Sequence, residues 1–269
     1  MTETPPALPS LATIQMAREG RLLRITMNRP DALNAVNLQL HDDLADAMWF
    51  AQCDTGSDVI VLTGAGRAFS AGGDLDHIEN NARNPHLFDH EVRVAKRIVS
   101  TMLDIDKPVI CRMNGHAVGL GATLALLCDV IFASENAKIG DPHVGLGLVA
   151  GDGGAVLWAQ RIGLTRAKEY LLTGDLLPAT KAAEIGLVNH AVPLEDLDDR
   201  VNAFCEKLLG GAMMAIRATK VLTNLELKRV ATALMDAGIA YESVSVRTAD
   251  HMEGIQALKE KRKPNFIGR

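Results

Sequence analysis

The stretch DVIVLT, residues 58–63, leads into a loop of small residues, GAGRAFSAGG, at residues 64–73. An unbroken apolar run of this length predicts a β-strand that is covered on both faces, because a strand with one face in water alternates apolar and polar residues. The same arrangement recurs at PVICR, residues 108–112, which precedes the glycine-rich segment NGHAVGLGAT at residues 114–123. Two buried strands that each lead into a glycine-rich loop indicate an α/β fold.

Hydrophobic periodicity assigns most of the remaining chain. Apolar residues at helical spacing predict helices at about 37–51, 87–103 and 119–128, an extended segment at 130–133, and a hairpin from the apolar runs at 11–16 and 21–27. The second half is helical in pattern, with predicted helices at 154–162, 166–172, 180–185, 197–209, 212–222 and 227–245. No low-complexity linker interrupts the chain, so we expect one domain unit with a disordered N-terminus (1–10), an α/β core (11–200) and a helical C-terminal region (201–269).

Composition excludes several classes of protein. The chain has 269 residues, of which 48% are hydrophobic, and a formal net charge of −5. This balance rules out wholesale disorder and gives no basic surface for nucleic acid. No segment has the roughly 20 consecutive apolar residues of a membrane helix, and the first ten residues do not resemble an export signal. Four scattered cysteines argue against a zinc site or a disulfide framework, and we therefore expect a cytoplasmic protein.

The two glycine-rich loops are candidate oxyanion sites. Gly72 and Gly73 let the main chain turn so that an N–H group points outward, and the segment at 114–123 enters a predicted helix whose first N–H groups have no partner within the helix. Outward N–H groups of this kind stabilise developing negative charge on an oxygen atom. The alternatives are a tight turn and close packing of a helix on a sheet. Neither loop carries a phosphate-loop or dinucleotide-binding pattern.

Further segments match a known family. These loops, together with ITMNRP (25–30), ALNA (32–35), LTGD (172–175) and EKRKPNF (260–266), resemble the enoyl-CoA hydratase/isomerase (crotonase) superfamily from about Leu22 to the end of the sequence. The resemblance implies the ClpP/crotonase fold, in which stacked ββα units form two roughly perpendicular sheets. It also implies a helical C-terminal region used in trimerisation, and a homotrimer or a hexamer built from two trimers.

The resemblance also implies the chemistry. Family members stabilise the enolate oxygen of an acyl-CoA thioester with two backbone N–H groups, which here would belong to Gly73 and Leu120. Coenzyme A arrives as part of the substrate, so no separate cofactor and no metal is expected. By position, the residues that would contact it are Arg29, Leu33, Arg67, Ala71 and Thr123. Asp76 stands where many relatives carry Lys and would repel a phosphate group.

The acid and base positions depart from the hydratase pattern. The two glutamates of family hydratases correspond to Thr123 and His143, and neither is a carboxylate. Thr cannot act as a base near neutral pH, and an ordinary helix residue bonding to its own backbone is an alternative interpretation of Thr123. His143 can act as a base, because an unperturbed imidazole has a pKa of about 6.5.

Three residues resemble a different branch of the superfamily. His143, Asp152 and Glu242 occupy the positions used by carbon–carbon bond hydrolases of the 6-oxocamphor hydrolase type, which cleave cyclic β-diketones without coenzyme A. On this reading Asp152 orients His143, which is the base, and Glu242 assists. Asp152 is also placed to cap a helix, and Glu242 to lie in solvent or between subunits. The other histidines show no spacing that marks them as functional: His41, His77, His86, His90, His116, His190 and His251.

Two differences between this chain and that hydrolase decide between the two branches of the superfamily. That hydrolase carries a histidine where this chain has Leu120, and it lacks the pair Gly72-Gly73 that this chain retains. The leading hypothesis is therefore an enzyme of the hydratase/isomerase family that acts on an acyl-CoA thioester, with His143 as the base. A hydrolase of a cyclic β-diketone and a catalytically silent CoA-binding homologue are the alternatives.

Overall fold

The computed structural model describes residues 4–269, in which two β-sheets are surrounded by helices. The strands are β1 (Ile14–Glu19), β2 (Leu22–Met27), β3 (Val59–Gly64), β4 (Val109–Met113), β5 (Ala117–Val118), β6 (Val130–Ser134), β7 (Lys138–Gly140), β8 (Leu177–Pro178) and β9 (His190–Val192). The larger sheet has the order β1-β2-β3-β4-β6-β9 and is parallel except for the β1–β2 hairpin. The smaller sheet has the order β5-β7-β8, with β5 and β7 parallel.

The helices agree with the predicted pattern in the long segments and differ in the short ones. They are α1 (Leu38–Cys53), α2 (Leu75–Arg83), α3 (Phe88–Asp104), α4 (Leu120–Leu127), α5 (Gly154–Thr173), α6 (Ala179–Glu184), α7 (Leu197–Leu209), α8 (Met213–Ser245) and α9 (Ala249–Lys259). The helices predicted at 154–162 and 166–172 are confirmed as the two parts of α5, which are separated by a kink where Gly163 has the non-helical angles φ +78° and ψ 158°. Those predicted at 212–222 and 227–245 are instead one continuous helix, α8.

Strand β3 lies between two apolar layers, as its unbroken apolar sequence predicts. Ile60 and Leu62 face the main core, which includes residues of α1, α3 and α8. Val59 and Val61 face a smaller core completed by α7. Successive side chains of a strand point to opposite faces, so a strand covered on both sides needs an apolar residue at every position. Each fully buried Val or Leu contributes about 1.5–3 kcal/mol, and all six residues of β3 are buried.

Hydrogen bonds join the loops that follow β3 and β4. The backbone N–H of Ser70 donates to the His116 carbonyl at 3.0 Å, and the N–H of Val118 donates back to the Ser70 carbonyl at 3.0 Å. From the second loop, the buried side chain of Asn114 donates from Nδ2 to the first-loop carbonyl groups of Gly66 at 2.9 Å and Ala68 at 3.1 Å. Because buried amide groups are costly to leave unpaired, these bonds fix the relative position of the two glycine-rich loops.

The N-terminal segment lacks helices and strands where the structure describes it. Residues 1–3 of the predicted disordered N-terminus lie outside the described residues, and residues 4–10 have no regular secondary structure. Leu8 packs against the core, and Nη2 of Arg18 donates to the Pro6 carbonyl at 2.6 Å. No helix within residues 4–269 combines the length and the hydropathy needed to cross a bilayer.

Candidate active site

The two glycine-rich loops converge at one point. Gly72 has φ +88°, and a methyl group placed on it would lie 2.8 Å from the Val118 carbonyl oxygen. Gly119 has φ +53°, and a methyl group placed on it would lie 3.7 Å from Cε1 of His143 and 3.9 Å from Cα of Gly72. Only glycine combines a positive φ with so close an approach of two backbones. The N–H groups of Gly73 and Leu120, the first residue of α4, follow directly in these loops.

His143 faces this point and is held by a carboxylate. Its Nδ1 is hydrogen-bonded to Oδ1 of Asp141, while its Nε2 lies 3.8 Å from Oδ2 of Asp152, beyond hydrogen-bond distance. From the sequence, Asp152 was expected to orient the imidazole, but the orienting contact comes from Asp141. A carboxylate at Nδ1 fixes the ring and leaves Nε2 facing the cavity.

Asp152 lies at the N-terminus of α5. Its Oδ1 is 3.4 Å from the N–H of Gly154 and 3.4 Å from Oγ1 of Thr123, both of which donate to it. The N-cap of α5 is Gly153 and has no side-chain capping bond, so Asp152 is not the helix cap considered from the sequence. Thr123 bonds to Asp152 rather than to its own backbone. A helix N-terminus stabilises negative charge, so Asp152 and the neighbouring Asp141 lie where carboxylates are favoured.

Glu242 reaches the same cluster from α8. A methyl group on Gly151 would overlap the carbonyl of Gly238 and lie 2.9 Å from Cβ of Glu242, so the absence of a side chain at Gly151 lets α8 approach the loop before α5. Glu242 is 6% exposed. Glu242 is therefore not exposed to solvent in this chain, which was one of the two alternatives that the sequence left open.

Burial and mutual charge set the protonation of this cluster. Burial raises the pKa of Glu242 to about 8, and the charge on Asp152 acts in the same direction. Burial also raises the pKa of Asp152, although the nearby His143 partly opposes this. Burial opposes the charged form of His143, but the charges of Asp141 and Asp152 outweigh it and hold its pKa well above the usual range. Near neutral pH the cluster therefore contains an imidazolium and a neutral Glu242 beside carboxylates.

A cavity of about 840 Å³ contains these groups. Its lining includes Gly73, Leu120, His143, Asp152 and Glu242, together with apolar side chains from α3, α8 and α9. This volume suits a small organic group, and an apolar wall with a few convergent polar groups is typical of a substrate pocket. The structure thus brings all five predicted oxyanion and acid–base residues to one cavity.

The residues predicted to contact coenzyme A lie in different parts of the site. Ala71 lines the cavity, and Arg67 is exposed on the loop before it. Arg29 donates from Nη1 to Oδ2 of Asp74 at 3.1 Å and to the Ala35 carbonyl, so its guanidinium supports the first glycine-rich loop. The carbonyl of Leu33 accepts a hydrogen bond from the N–H of Ala71 at 3.0 Å.

The acidic position Asp76 has a basic neighbour. Nζ of Lys259, on α9, lies 3.0 Å from Oδ1 of Asp76 and also contacts Glu79. Lys259 and Arg262 both line the cavity. Helix α9 therefore places a positive charge beside Asp76. Residue spacing gave no signal of this contact.

One group of residues has the composition of a metal site. Asp141, His143 and Asp152 each offer one ligand atom, and these atoms lie within 4.8 Å of one another. The pairing of His143 with Asp141 accounts for the closest of these contacts without an ion. The absence of a metal ion stays a prediction.

The fold and the site define a class of protein. A mixed sheet extended by ββα units, with two backbone N–H groups meeting a buried histidine and its carboxylates, has the arrangement of a crotonase-fold enzyme.

Comparison with known proteins identifies the family. The sequence model described as "Enoyl-CoA hydratase/isomerase" matches residues 17–269. Crotonyl-CoA hydratase of Syntrophomonas wolfei is 33% identical over 95% of this chain and 98% of its own, and 2,3-dehydroadipyl-CoA hydratase of Escherichia coli is 33% identical over 96% and 100%. A crystal structure of an enoyl-CoA hydratase/isomerase from Mycobacterium paratuberculosis has a TM-score of 0.88, with 39% identity over 92% of this chain and 99% of the other. The chain belongs to the enoyl-CoA hydratase/isomerase family and has the crotonase fold.

Proposed function

We propose that this enzyme binds an acyl-CoA thioester and stabilises its enolate oxygen with the N–H groups of Gly73 and Leu120. The observation that carries the proposal is the convergence of the two glycine-rich loops on His143 inside one cavity. Two preorganised donors in a site with little water lower the energy of the oxyanion, and the removal of one such donor in other enzymes slows the reaction about 10²–10³-fold. Relatives named for action on crotonyl-CoA and 2,3-dehydroadipyl-CoA support the thioester class.

The acid–base cluster supplies proton transfer beside the enolate carbon. The carboxylate of Asp152 is the proton acceptor, since its raised pKa makes it a stronger base than an ordinary aspartate. The Nε2 of protonated His143 and the neutral carboxyl of Glu242 are the proton donors. Asp141 is a positioning residue, because it contacts His143 at the backbone N–H and at Nδ1, the ring nitrogen directed away from the cavity. This assignment reverses the role of base that the sequence suggested for His143.

We place the coenzyme A part of the substrate at the mouth of the cavity. Ala71 would contact the adenine through its carbonyl group, and Arg67, Lys259 and Arg262 would provide positive charge for phosphate groups. Lys259 and Arg262 line the cavity, and Arg67 is exposed beside it. Lys259 contacts both Asp76 and Glu79, so it reduces but does not cancel the repulsion that Asp76 alone would produce.

Turnover of crotonyl-CoA tests the proposal. The His143→Gln variant should lower kcat at least 100-fold, because general acid–base catalysis contributes about 10²–10⁴-fold. His90→Ala is the matched control, since His90 also pairs with an aspartate but is exposed and lies outside the cavity. Equal turnover by His143→Gln and the native enzyme would remove His143 from the mechanism. Failure of the native enzyme to bind any acyl-CoA would contradict the thioester assignment.

A second candidate is the hydrolysis of a carbon–carbon bond in a cyclic β-diketone. Its support is that His143, Asp152 and Glu242, which correspond to the residues of that chemistry, line one cavity. Leu120 replaces the additional histidine of that branch. A panel of cyclic β-diketones, followed by the loss of the dicarbonyl absorbance, distinguishes the two candidates: cleavage without coenzyme A favours the hydrolase, and tight CoA binding with no cleavage favours the thioester enzyme.

We propose that the chain assembles as a homotrimer or as a hexamer of two trimers. Apolar side chains on α8 support this assembly, because they are exposed in a single chain: Leu222, Leu225, Leu234, Tyr241 and Val244. Light scattering during size-exclusion chromatography should give three or six times the 28.9 kDa of one chain. A mass of one chain would contradict the proposal.

A further inference from the structure

The cavity has a second group of polar residues on the wall formed by α1, α2 and α3. Nδ1 of His41 lies 2.7 Å from Oε2 of Glu91, and Nε2 of His77 lies 2.9 Å from Oε1 of the same carboxylate. Asn81, one turn after His77 on α2, has its Nδ2 3.3 Å from Nε2 of His77. All four residues line the cavity, and we call them the distal cluster. Residue spacing gave no sign of it, because its members come from three helices.

Three atoms of the distal cluster have no hydrogen-bond partner. Both ring nitrogens of His41 and Oδ1 of Asn81 are buried and form no hydrogen bond within residues 4–269, although Nδ1 of His41 lies 2.7 Å from Oε2 of Glu91. The residues themselves are 3% and 5% exposed. A buried polar atom without a partner is unfavourable and is therefore uncommon in folded proteins. Because both residues line the cavity, a bound molecule can supply the missing partners.

The chemistry of these atoms selects the type of group that they bind. A neutral imidazole offers one N–H donor and one acceptor nitrogen, and Oδ1 of Asn81 is an acceptor. Burial opposes ionisation of Glu91, but the adjacent imidazoles of His41 and His77 outweigh it and lower its pKa to about 2. These groups favour a ligand that both donates and accepts hydrogen bonds, and the ionised carboxylate disfavours an anion.

The distal cluster is within electrostatic range of the acid–base cluster. The charge on Glu91 contributes to the raised pKa of Glu242. Val92, Ala95, Ile239 and Val246 also line the same cavity. A molecule whose thioester oxygen lies at Gly73 and Leu120 would therefore place an apolar segment in the cavity and its far end near Glu91.

We propose that the distal cluster is a subsite for a hydroxyl group on the acyl chain, so that the preferred substrates are hydroxylated acyl thioesters. The inference rests on the proposed function, since it takes the thioester end to be held by the two glycine-rich loops. The hydroxyl group would donate to Nε2 of His41 or to Oδ1 of Asn81.

The competing explanation is that the contacts of the distal cluster only hold the helices together, and the chain contains a control for this. Asp42 and His90 join α1 to α3, with Nε2 of His90 2.8 Å from Oδ1 of Asp42, one residue along each helix from His41 and Glu91. This pair is exposed and does not line the cavity. A variant at His90 thus weakens a similar helix–helix contact without touching the subsite.

Binding of unreactive saturated thioesters tests the subsite separately from catalysis. Isothermal titration calorimetry of the full-length protein would compare hexanoyl-CoA with its 4-, 5- and 6-hydroxy derivatives and with hexanedioyl-CoA, which ends in a carboxylate. At least one hydroxy derivative should bind about 3- to 10-fold more tightly than hexanoyl-CoA, the ratio expected for one additional hydrogen bond. Hexanedioyl-CoA should bind more weakly than hexanoyl-CoA.

The variants Asn81→Leu and His41→Phe should each reduce the hydroxyl preference toward 1, with hexanoyl-CoA affinity changed less than 3-fold. His90→Ala should keep the native preference. Thermal unfolding identifies a variant that does not fold, and in that case the binding measurements on the other variant test the proposal. The proposal is overturned if no hydroxy derivative binds more tightly, if the carboxylate binds most tightly, or if the variants lower all affinities equally. Tight, hydroxyl-selective binding without turnover of any enoyl-CoA would instead contradict the proposed reaction while supporting the subsite.

Discussion

The replacement of Gly72 by alanine tests whether backbone geometry carries the oxyanion site. Gly72 has φ +88°, and its added Cβ would lie 2.8 Å from the Val118 carbonyl oxygen, where an ordinary van der Waals contact is at least 3.4 Å. The two loops must therefore move apart by roughly half an ångström, because backbone atoms cannot rotate away as a flexible side chain can. That movement displaces the N–H of Gly73 relative to that of Leu120.

Two separate penalties follow from this change. The positive φ costs about 1–2 kcal/mol in stability for any residue with a Cβ, which corresponds to a decrease in Tm of about 2–8 °C for a chain of this size. The displaced donor should lower kcat by about 100-fold, within the range seen when an oxyanion donor is lost. Substrate binding should change less, since the oxyanion contact strengthens mainly in the transition state.

Gly20→Ala is the matched control. Gly20 has φ +63° in the turn between β1 and β2, and no heavy atom lies within 4 Å of an added Cβ. The control therefore has the strain of positive φ without the collision. Thermal unfolding should show a smaller loss of Tm in Gly20→Ala, which lacks the collision, and steady-state turnover of crotonyl-CoA should show a loss of kcat only in Gly72→Ala. A kcat in Gly72→Ala within about 3-fold of that in Gly20→Ala would refute the assignment of the oxyanion site.

Four further predictions concern the charges around the cavity. Activity should fall as the pH rises through about 8, because Glu242 then loses the proton that it donates, and Glu242→Gln should remove this limb of the pH–rate profile. The same raised pKa means that the native state keeps a proton that the unfolded state has lost, so the free energy of unfolding should decrease as the pH rises from about 4.5 to 8, and chemical denaturation of Glu242→Gln should show a smaller decrease. Asp141→Asn should lower the pKa of His143, measured by NMR titration of the imidazole, because it removes a charge that stabilises the imidazolium, and an unchanged pKa would contradict this arrangement. Arg29→Ala should lower kcat more than it raises KM, since Arg29 supports the first loop through Asp74, whereas a large rise in KM alone would indicate a direct coenzyme A contact.

The sequence predicts the fold where its pattern is long and regular. The buried strands at 59–64 and 109–113 and the helices α1, α3 and α7 follow from apolar periodicity, and the hairpin follows from two apolar runs around Gly20. Helix α8 was predicted as two helices, and α9 was not predicted. The strands of the second sheet are only two or three residues long, which is too short to show a period. Helix α2 has only Leu75 and Ile78 as strongly apolar residues, and it was not predicted as an element.

Tertiary contacts limit prediction of the site more than secondary structure does. Asp141 is two residues before His143, so the local sequence contained the signal for their pairing, but the more distant Asp152 drew the assignment through family resemblance. Glu242 approaches this cluster because the absence of a side chain at Gly151 lets α8 pack closely, and no residue spacing encodes that approach. The contact of Lys259 with Asp76 joins residues 183 positions apart, which pattern reasoning on one sequence cannot reach.

Two glutamates in one cavity show how the fold assigns opposite roles to one residue type. Burial disfavours the ionised form of both Glu91 and Glu242. The imidazoles of His41 and His77 lie beside Glu91 and lower its pKa to about 2, whereas Glu242 lies near the charge of Asp152 and has a pKa of about 8. The cavity therefore holds a proton donor beside the catalytic histidine and a fixed negative charge at the distal cluster. Because the charge on Glu91 also raises the pKa of Glu242, replacement of Glu91 by Gln should weaken the hydroxyl preference and shift the alkaline limb of activity to lower pH together.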